Sequence, residues 1–208
     1  SGFLTPFFTN TSTLGAGFAT PYFWAISNNK DLTFTPKTYG SENPLFLNEY
    51  RQAFENGFLT LDTSYTPGYK KTSKTKPDGS RNHIFAKLDL NINSSENYEN
   101  NLNFKIQRSS SDKYFKKHDI NTSLVDSENT ILENEIKYSY LGENSFLDIS
   151  ANTYEDLNID KNSDKYEHIL PNILFGKTFF TEKFGTVNFS SNALYTKYKT
   201  KKTKTFLT

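Results

Sequence analysis

The residues of this chain that could carry chemistry are few and scattered. Its three histidines, His83, His118 and His168, are far apart and show no metal-ligand spacing, and the chain has no nucleophile elbow, phosphate-binding loop or zinc signature. Carboxylates such as Glu133 and Glu135 alternate along one predicted strand, which is typical of the polar face of a sheet. We therefore predict that the protein is not an enzyme, with no catalytic residue, no metal and no cofactor.

A pair of prolines inside two predicted strands is the more informative pattern. Pro21 and Pro36 both stand among alternating apolar residues, on either side of a turn at residues 27–30. Proline has no backbone N–H and is normally confined to sheet edges, strand starts and bulges. The pattern predicts a hairpin from Leu14 to Tyr39 whose ladder of hydrogen bonds is weakened.

The composition restricts the class of protein. The 208 residues carry a net charge of +1 and no cysteine, which argues against a general nucleic-acid binder and against a disulfide framework. No apolar run is long enough for a transmembrane helix, and no cleavable signal is visible. Aromatic residues reach 16% in a chain whose mean hydropathy is −0.69. They suit either the core of a β-sandwich or the aromatic girdles of a membrane barrel.

The elements that must position these residues are about ten strands with period-2 alternation. The clearest is His83 to Ile92, in which Ile84 and Leu88 share one face and Lys87 and Asp89 the other. Polar loops are predicted at 66–82 and 109–129, the second with a short turn of helix at 113–117.

Three architectures fit such a string of strands: a soluble sandwich, a soluble barrel and part of an outer-membrane barrel. Several strands have about ten residues, longer than is usual in soluble sheets, which favours the membrane barrel. The prediction is an all-β fold, an antiparallel transmembrane β-barrel of which about ten strands are present. Its lipid-facing residues would be Phe18, Trp24, Ile84, Leu88, Leu102 and Phe104, and its lumen-facing polar residues Glu49, Arg51, Lys87 and Asp89.

Several short motifs in the first hundred or so residues resemble the barrel domain of the LPS-assembly protein LptD family, also called organic solvent tolerance proteins. The order and spacing of the motifs make the resemblance specific, above all the spacing of fifteen positions from Pro21 to Pro36. The motifs are Ser1-Gly2-Phe3-Leu4 with Pro6, Pro21-Tyr22-Phe23-Trp24 with Ile26, Asp31-Leu32-Thr33 to Thr35-Pro36, Asn48-Glu49-Tyr50-Arg51, Gly57 with Leu59 and Leu61, and Asp112 with Tyr114-Phe115.

The resemblance implies a lipopolysaccharide translocon in the cell outer membrane. In the family a barrel encloses a lipoprotein plug, LptE, and a periplasmic jellyroll receives lipopolysaccharide from a bridge that ends in LptA. The glycolipid leaves through a lateral gate between the first and last strands, beside the two matching prolines. Pro21 and Pro36 would inherit that role, with the small residues Gly15 and Gly17 leaving room at the inner wall.

The same resemblance gives the expected domain organisation. The start of the chain and its lack of methionine indicate a segment of a longer protein, with residues 1–12 as the junction from a missing jellyroll and 13–208 as the first barrel strands. Two alternatives remain open from the residues alone. One is a passive outer-membrane porin or channel, and the other a soluble β-sandwich adhesin.

Overall fold

The structure, a computed structural model, describes residues 1–159, 165–198 and 203–207. These residues form antiparallel strands and one short helix, α1 (Tyr114–His118). The strands are β1 (Gly2–Phe3), β2 (Phe7–Thr11), β3 (Gly15–Ala19), β4 (Tyr22–Ser27), β5 (Lys30–Tyr39), β6 (Leu45–Phe54), β7 (Gly57–Thr66), β8 (Arg81–Ser95), β9 (Tyr98–Ser109), β10 (Ile131–Gly142), β11 (Ser145–Asp156), β12 (Tyr166–Thr181), β13 (Gly185–Tyr198) and β14 (Thr203–Leu207). The predicted all-β antiparallel fold is confirmed. Within the described residues, no helix is long and apolar enough to cross a membrane.

The chain divides into two compact units. The first consists of 1–87 and 106–130, and the second of 88–105 and 131–208. In the first unit β4, β5, β6, β7 and the start of β8 are successive neighbours, and in the second β9 to β14 form a meander in chain order. Tight turns such as Glu55-Asn56-Gly57, between β6 and β7, fix the register of these hairpins.

The strands from β5 to β13 have ten to sixteen residues and keep one apolar face exposed. Ile84, for example, is 46% exposed, whereas its neighbours His83 and Phe85 are buried. A two-layer sandwich would bury Ile84, because alternation in a soluble sheet points the apolar side chains into a core. The observed exposure is consistent with the outward face of a partial barrel.

The predicted first strand of the hairpin is broken, which corrects the prediction of one continuous strand from Leu14. Thr20 and Pro21 separate β3 from β4, and both strands pair with the same partner, β5. The break falls at proline because proline cannot donate to a ladder. The face pattern nevertheless continues through the break, since Phe18, Tyr22 and Trp24 are all exposed and Ala19 and Pro21 are buried.

The core of the first unit lies on the other face of its sheet. Residues 109–130, which include α1, fold against that face, as shown by the burial of Tyr114, Phe115, Ile120 and Val125. The phenyl rings of Phe115 and Phe85 meet edge to face at 5.3 Å between centroids. The long polar loop predicted at 109–129 therefore covers the inner face of this sheet, and the predicted helical turn is present as α1.

Candidate functional site

At the joint of Thr20 and Pro21, the first hairpin lacks one ladder hydrogen bond. The paired residues of β3 and β5 end with Ala19 and Lys37, and those of β4 and β5 begin with Tyr22 and Phe34. Between them the N–H of Thr20 donates to the carbonyl of Pro36 at 3.2 Å. In an antiparallel ladder such a pair normally exchanges two bonds, and the return bond is missing because Pro36 has no N–H.

Pro21 weakens the opposite edge of the same strand. Its carbonyl accepts from the N–H of Leu4 at 2.9 Å, so its own N would face Leu4 if it carried a hydrogen. The two prolines therefore remove donors on opposite edges of the joint between β3 and β4. Pro36, on β5, lacks a donor toward Thr20 of the first strand, and Pro21 lacks one toward the outer edge.

That outer edge is covered by residues 1–11, here called the edge strip. In the strip, β1 pairs with β4, β2 pairs with β3, and residues 4–6 between them belong to neither strand. The hydroxyl oxygen of Ser1 also accepts from the N–H of Ala25 at 3.0 Å. The cover is thus short and interrupted. The expected assignment of residues 1–12 to a junction from a jellyroll stays a prediction.

The two glycines expected to leave room at the inner wall have different surroundings. Gly15 adopts a positive φ of 75°, a conformation that favours glycine. Gly17 is closely packed, because a Cβ atom there would lie 2.8 Å from both the Tyr39 ring and Thr9 Oγ1. The space beside Gly17 is therefore filled by the Tyr39 ring.

The four polar residues predicted to face the lumen lie in two places. The guanidinium of Arg51 donates to both carboxylate oxygens of Asp31, at 2.9 and 3.2 Å, and Glu49 accepts from the hydroxyl of Ser123 at 2.6 Å. In the second unit, Asp89 accepts from the side-chain amide of Asn103 at 2.7 Å. Lys87 is exposed at the end of the first unit. Their role in a lumen stays a prediction.

The six residues predicted to face lipid are exposed or half-exposed. Phe18, Trp24 and Ile84 are exposed, whereas Leu88, Leu102 and Phe104 are intermediate. None of the six is buried, but contact with lipid stays a prediction.

A buried polar network behind the sheet was not predicted from the sequence. His83 on β8 bonds Asp62 through Nε2, at 2.9 Å, and Ser64 through Nδ1. The Ser64 hydroxyl also bonds the Tyr114 hydroxyl at 2.7 Å. The only signal in the sequence was the alternation that put Asp62, Ser64 and His83 on polar faces, and it did not indicate that they meet.

The network contains the serine, histidine and carboxylate of a hydrolase triad, but its setting is that of a structural cluster. All four side chains are buried, and Ser64 is held from both sides by His83 and Tyr114. The hydroxyl of a nucleophilic serine must be reachable by a substrate. Among the described residues, no group of three or more potential metal-ligating side chains lies together.

The segment 109–130 is also held by a buried lysine. Lys37 Nζ donates to the carbonyls of His118 and Asp119 at 3.3 and 3.0 Å, beside the Tyr69 ring that stacks on His118. Burial lowers the pKa of His118 to about 4, only partly offset by the hydrogen bond to the Tyr114 carbonyl. His118 is therefore neutral near pH 7, and burial likewise raises the pKa of Tyr114 far above its usual value.

Comparison with known proteins agrees with the sequence motifs. No protein-family model matches the chain. The LPS-assembly protein LptD of Nitrosococcus oceani is 30% identical over 149 residues, which is 68% of this chain and 18% of that protein. LptD of Hahella chejuensis is 25% identical over 85% of this chain and 22% of its own length, and LptD of Escherichia coli O1:K1 is 34% identical over 41% and 11%.

The chain therefore spans about a fifth or less of these relatives. The similarity extends well past the first hairpin, since the Hahella match alone covers 178 residues. Together with the all-β antiparallel fold, it shows that this chain is a relative of the LPS-assembly protein LptD.

Proposed function

We propose that this chain forms the opening strands of an outer-membrane barrel that inserts lipopolysaccharide into the outer leaflet through a lateral gate beside its first strands. The observation that carries the proposal is the joint at Thr20 and Pro21. There the first strand is broken, and one ladder donor is missing on each edge of the joint, because Pro21 in the joint and Pro36 on β5 have no N–H.

The energetic reason is the cost of opening a sheet in lipid. In hydrocarbon each unsatisfied backbone group costs several kcal/mol, so a membrane barrel normally pairs every edge. A seam that must open and close needs an edge with fewer bonds to break. Pro21 and Pro36 meet that need permanently, because no rearrangement can give proline a donor.

The edge strip supports the same proposal. Its two strands have only two and five residues, so displacing the strip breaks few hydrogen bonds. The edge that it covers is that of β3 and β4, where Pro21 already lacks a donor. We propose that the strip leaves this edge when the gate opens, and that the exposed aromatic face on β3 and β4 then meets lipid. Phe18 and Trp24, 37% and 50% exposed, lie on that face.

The partners follow from the family resemblance. We propose that residues 1–12 connect the barrel to a periplasmic jellyroll, which receives lipopolysaccharide from an LptA-like bridge, and that residues 13–208 belong to the barrel. An LptE-like lipoprotein is the proposed plug in its lumen. Glu49, Arg51, Lys87 and Asp89 would face that lumen, and no catalytic step is part of the proposal.

The direct test replaces both prolines. In cells that depend on this protein, Pro21→Ala with Pro36→Ala is expected to slow delivery of lipopolysaccharide to the surface, because each alanine restores a ladder donor at the joint. The readout is surface lipopolysaccharide at equal protein level. Pro67→Ala, at an exposed loop proline, is the matched control and should have no effect. Unchanged export in the double variant would refute the gate.

A further inference from the structure

Two connecting segments of the first unit carry most of the positive charge of the chain. Residues 66–82 and 109–119 together contain eight Lys or Arg residues against three Asp, whereas the whole chain has a net charge of +1. A run of like charges is usually just a solvated surface. It indicates a ligand only where the fold holds the charges together.

The charges of the two segments meet around the ring of Tyr69. That ring is buried and stacks on His118 at 6.0 Å between ring centroids. The ammonium groups of Lys76 and Lys117 lie 5.5 and 5.8 Å from the centre of the Tyr69 ring. Lys117 Nζ also donates to the carbonyl of Thr75, so the two segments are bonded to each other.

Arg81 adds a charge whose position is fixed. Its two terminal nitrogens donate to the backbone carbonyls of residues 77–80. Neutral carbonyls orient the guanidinium but leave its positive charge uncompensated. The loop that carries Arg81 is tightly folded, because a Cβ at Gly68 would collide with the Gly79 carbonyl.

Lys76, Arg81, Lys113 and Lys117 are here called the basic cluster. In the part of the chain that the structure describes, Lys76 pairs with Glu42 and the other three form no ion pair. Burial lowers the pKa of Lys117, and the positive charges of the other three members lower it further. Like charges held this close oppose folding unless an anion compensates for them.

A small crevice lies between two members of the basic cluster. Its lining includes Arg81, Lys117, Tyr69 and Ser111, so a hydroxyl group stands beside the two cationic side chains. The crevice has a volume of about 10 Å³, which is room for about one water-sized atom. A bulky organic anion cannot enter it, whereas a single oxygen of a compact anion can.

We infer that the basic cluster binds a phosphate group. One phosphate oxygen enters the crevice beside Arg81 and Ser111, and the other oxygens accept from the ammonium groups of Lys113 and Lys117. Phosphate suits the cluster because it brings up to two negative charges and three acceptor oxygens, whereas a carboxylate brings one charge and two oxygens.

The phosphate group can be free phosphate or part of a lipid head group, since both present the same oxygens to the cluster. The inference rests on the charges and contacts of the basic cluster. It does not depend on the proposed export of lipopolysaccharide.

The first test is ³¹P NMR of inorganic phosphate added to the protein purified in dodecyl maltoside, a detergent without phosphorus. We expect saturable broadening of the phosphate signal that an equal concentration of acetate does not reverse. Absence of broadening, or its full reversal by acetate, would refute the inference.

Two short-chain lipids distinguish the sources of the phosphate group. Dihexanoyl phosphatidic acid carries a phosphate monoester, and in dihexanoyl phosphatidylcholine a choline balances the phosphate charge. Displacement of inorganic phosphate by the first lipid alone would support the inference and assign the site to a lipid head group. Displacement by neither would support a site for free phosphate. Equal displacement by both would overturn the inference, because it would indicate binding through the acyl chains.

A single substitution assigns the binding to the basic cluster. Lys113 is exposed, and its side chain has no hydrogen bond or ion pair to any residue that the structure describes. Lys113→Gln should therefore fold normally and weaken phosphate binding about tenfold, the loss expected for one hydrogen bond from a charged donor. Lys116→Gln removes the same charge from α1, where Lys116 pairs with the exposed Glu128 outside the cluster. This matched control should bind phosphate like the unaltered protein.

The comparison of these two variants decides the inference. Equal weakening by both would overturn it, because it would show diffuse attraction to a positive surface. Unchanged binding in Lys113→Gln would also overturn it, because the phosphate would then lie elsewhere on the protein.

Discussion

The residues at the joint show how closely the first hairpin is packed around its break. Gly17 lies under the Tyr39 ring, and Ala19 is fully buried one ladder position before the break. The few hydrogen bonds that Pro21 and Pro36 omit are therefore surrounded by well-packed side chains. The joint has few ladder hydrogen bonds but well-packed side chains. Single substitutions can therefore change its hydrogen bonding or its packing separately.

Gly17→Ala tests the packing beside the joint. The added Cβ would lie 2.8 Å from the Tyr39 ring and from Thr9 Oγ1, so the ring must move. Overpacking of this kind costs about 1–3 kcal/mol of unfolding free energy. Urea unfolding of the protein in detergent measures the effect. Gly2→Ala is the control, because a Cβ at Gly2 meets nothing within 4 Å. Equal stability of the two variants would contradict the packing described here.

His118 makes the first unit sensitive to acid. Its pKa falls from 6.5 to about 4 on burial, so the unfolded state binds the proton more readily in this range. Stability should be constant above pH 6.5 and decrease as the pH falls toward 4, by on the order of 3 kcal/mol in total. Urea unfolding at a series of pH values measures it.

His118→Gln provides the comparison for this pH dependence. The variant lacks the titrating imidazole, so its stability should decrease less over the same range than that of the unaltered protein. An identical pH profile in both would show that His118 does not cause the acid sensitivity.

Among the elements, the segment at residues 109–130 is the one on which the packing of the first unit depends. They cover the inner face of the sheet through the rings of α1, through Lys37 and through the bond between Tyr114 and Ser64. Because α1 has only five residues, it has little stability of its own and depends on these contacts.

Phe115→Ala should therefore release this segment from the sheet. Phe115 is buried against Phe85, His83 and Tyr114, and deleting such a ring costs about 3–5 kcal/mol. Hydrogen exchange of 109–130 should accelerate strongly. Lys116→Ala, one residue away and paired with the exposed Glu128, should change exchange little. Similar exchange in the two variants would mean that the ring does not hold the segment.

Many of the strands and turns could be predicted from the alternation of apolar residues and from the turn residues. The strands β6, β7, β10 and β11 lie where alternation and turn residues predict strands, because a period of 2 places the apolar side chains on one face. The break at Pro21 was not predicted, since the apolar alternation continues across it. The meeting of His83 with Asp62 and Ser64 was not predictable either, because it depends on which strands become neighbours and on where residues 109–130 fold.

At the scale of the whole molecule, the protein combines two properties that usually exclude each other. Long strands with one exposed apolar face suit a stable membrane wall, and stable walls have no free edge. The edge strip and the prolines resolve this conflict. The strip pairs the edge of β3 and β4 with few bonds, and in the proposed gate Pro21 and Pro36 would keep the cost of opening low.

The most direct measurement is to lock that edge. The chain has no cysteine, so Phe3→Cys with Tyr22→Cys places a single pair at directly opposed positions of β1 and β4. The neighbouring bond from Leu4 to Pro21 makes this a non-hydrogen-bonded pair, where the side chains are close enough for a disulfide. Ala53→Cys with Phe58→Cys, opposed on β6 and β7, is the matched control.

In cells, oxidation of the first pair should stop delivery of lipopolysaccharide to the surface, and a reductant should restore it, while the control pair exports normally in both states. Normal export with the edge strip covalently locked to β4 would contradict the account.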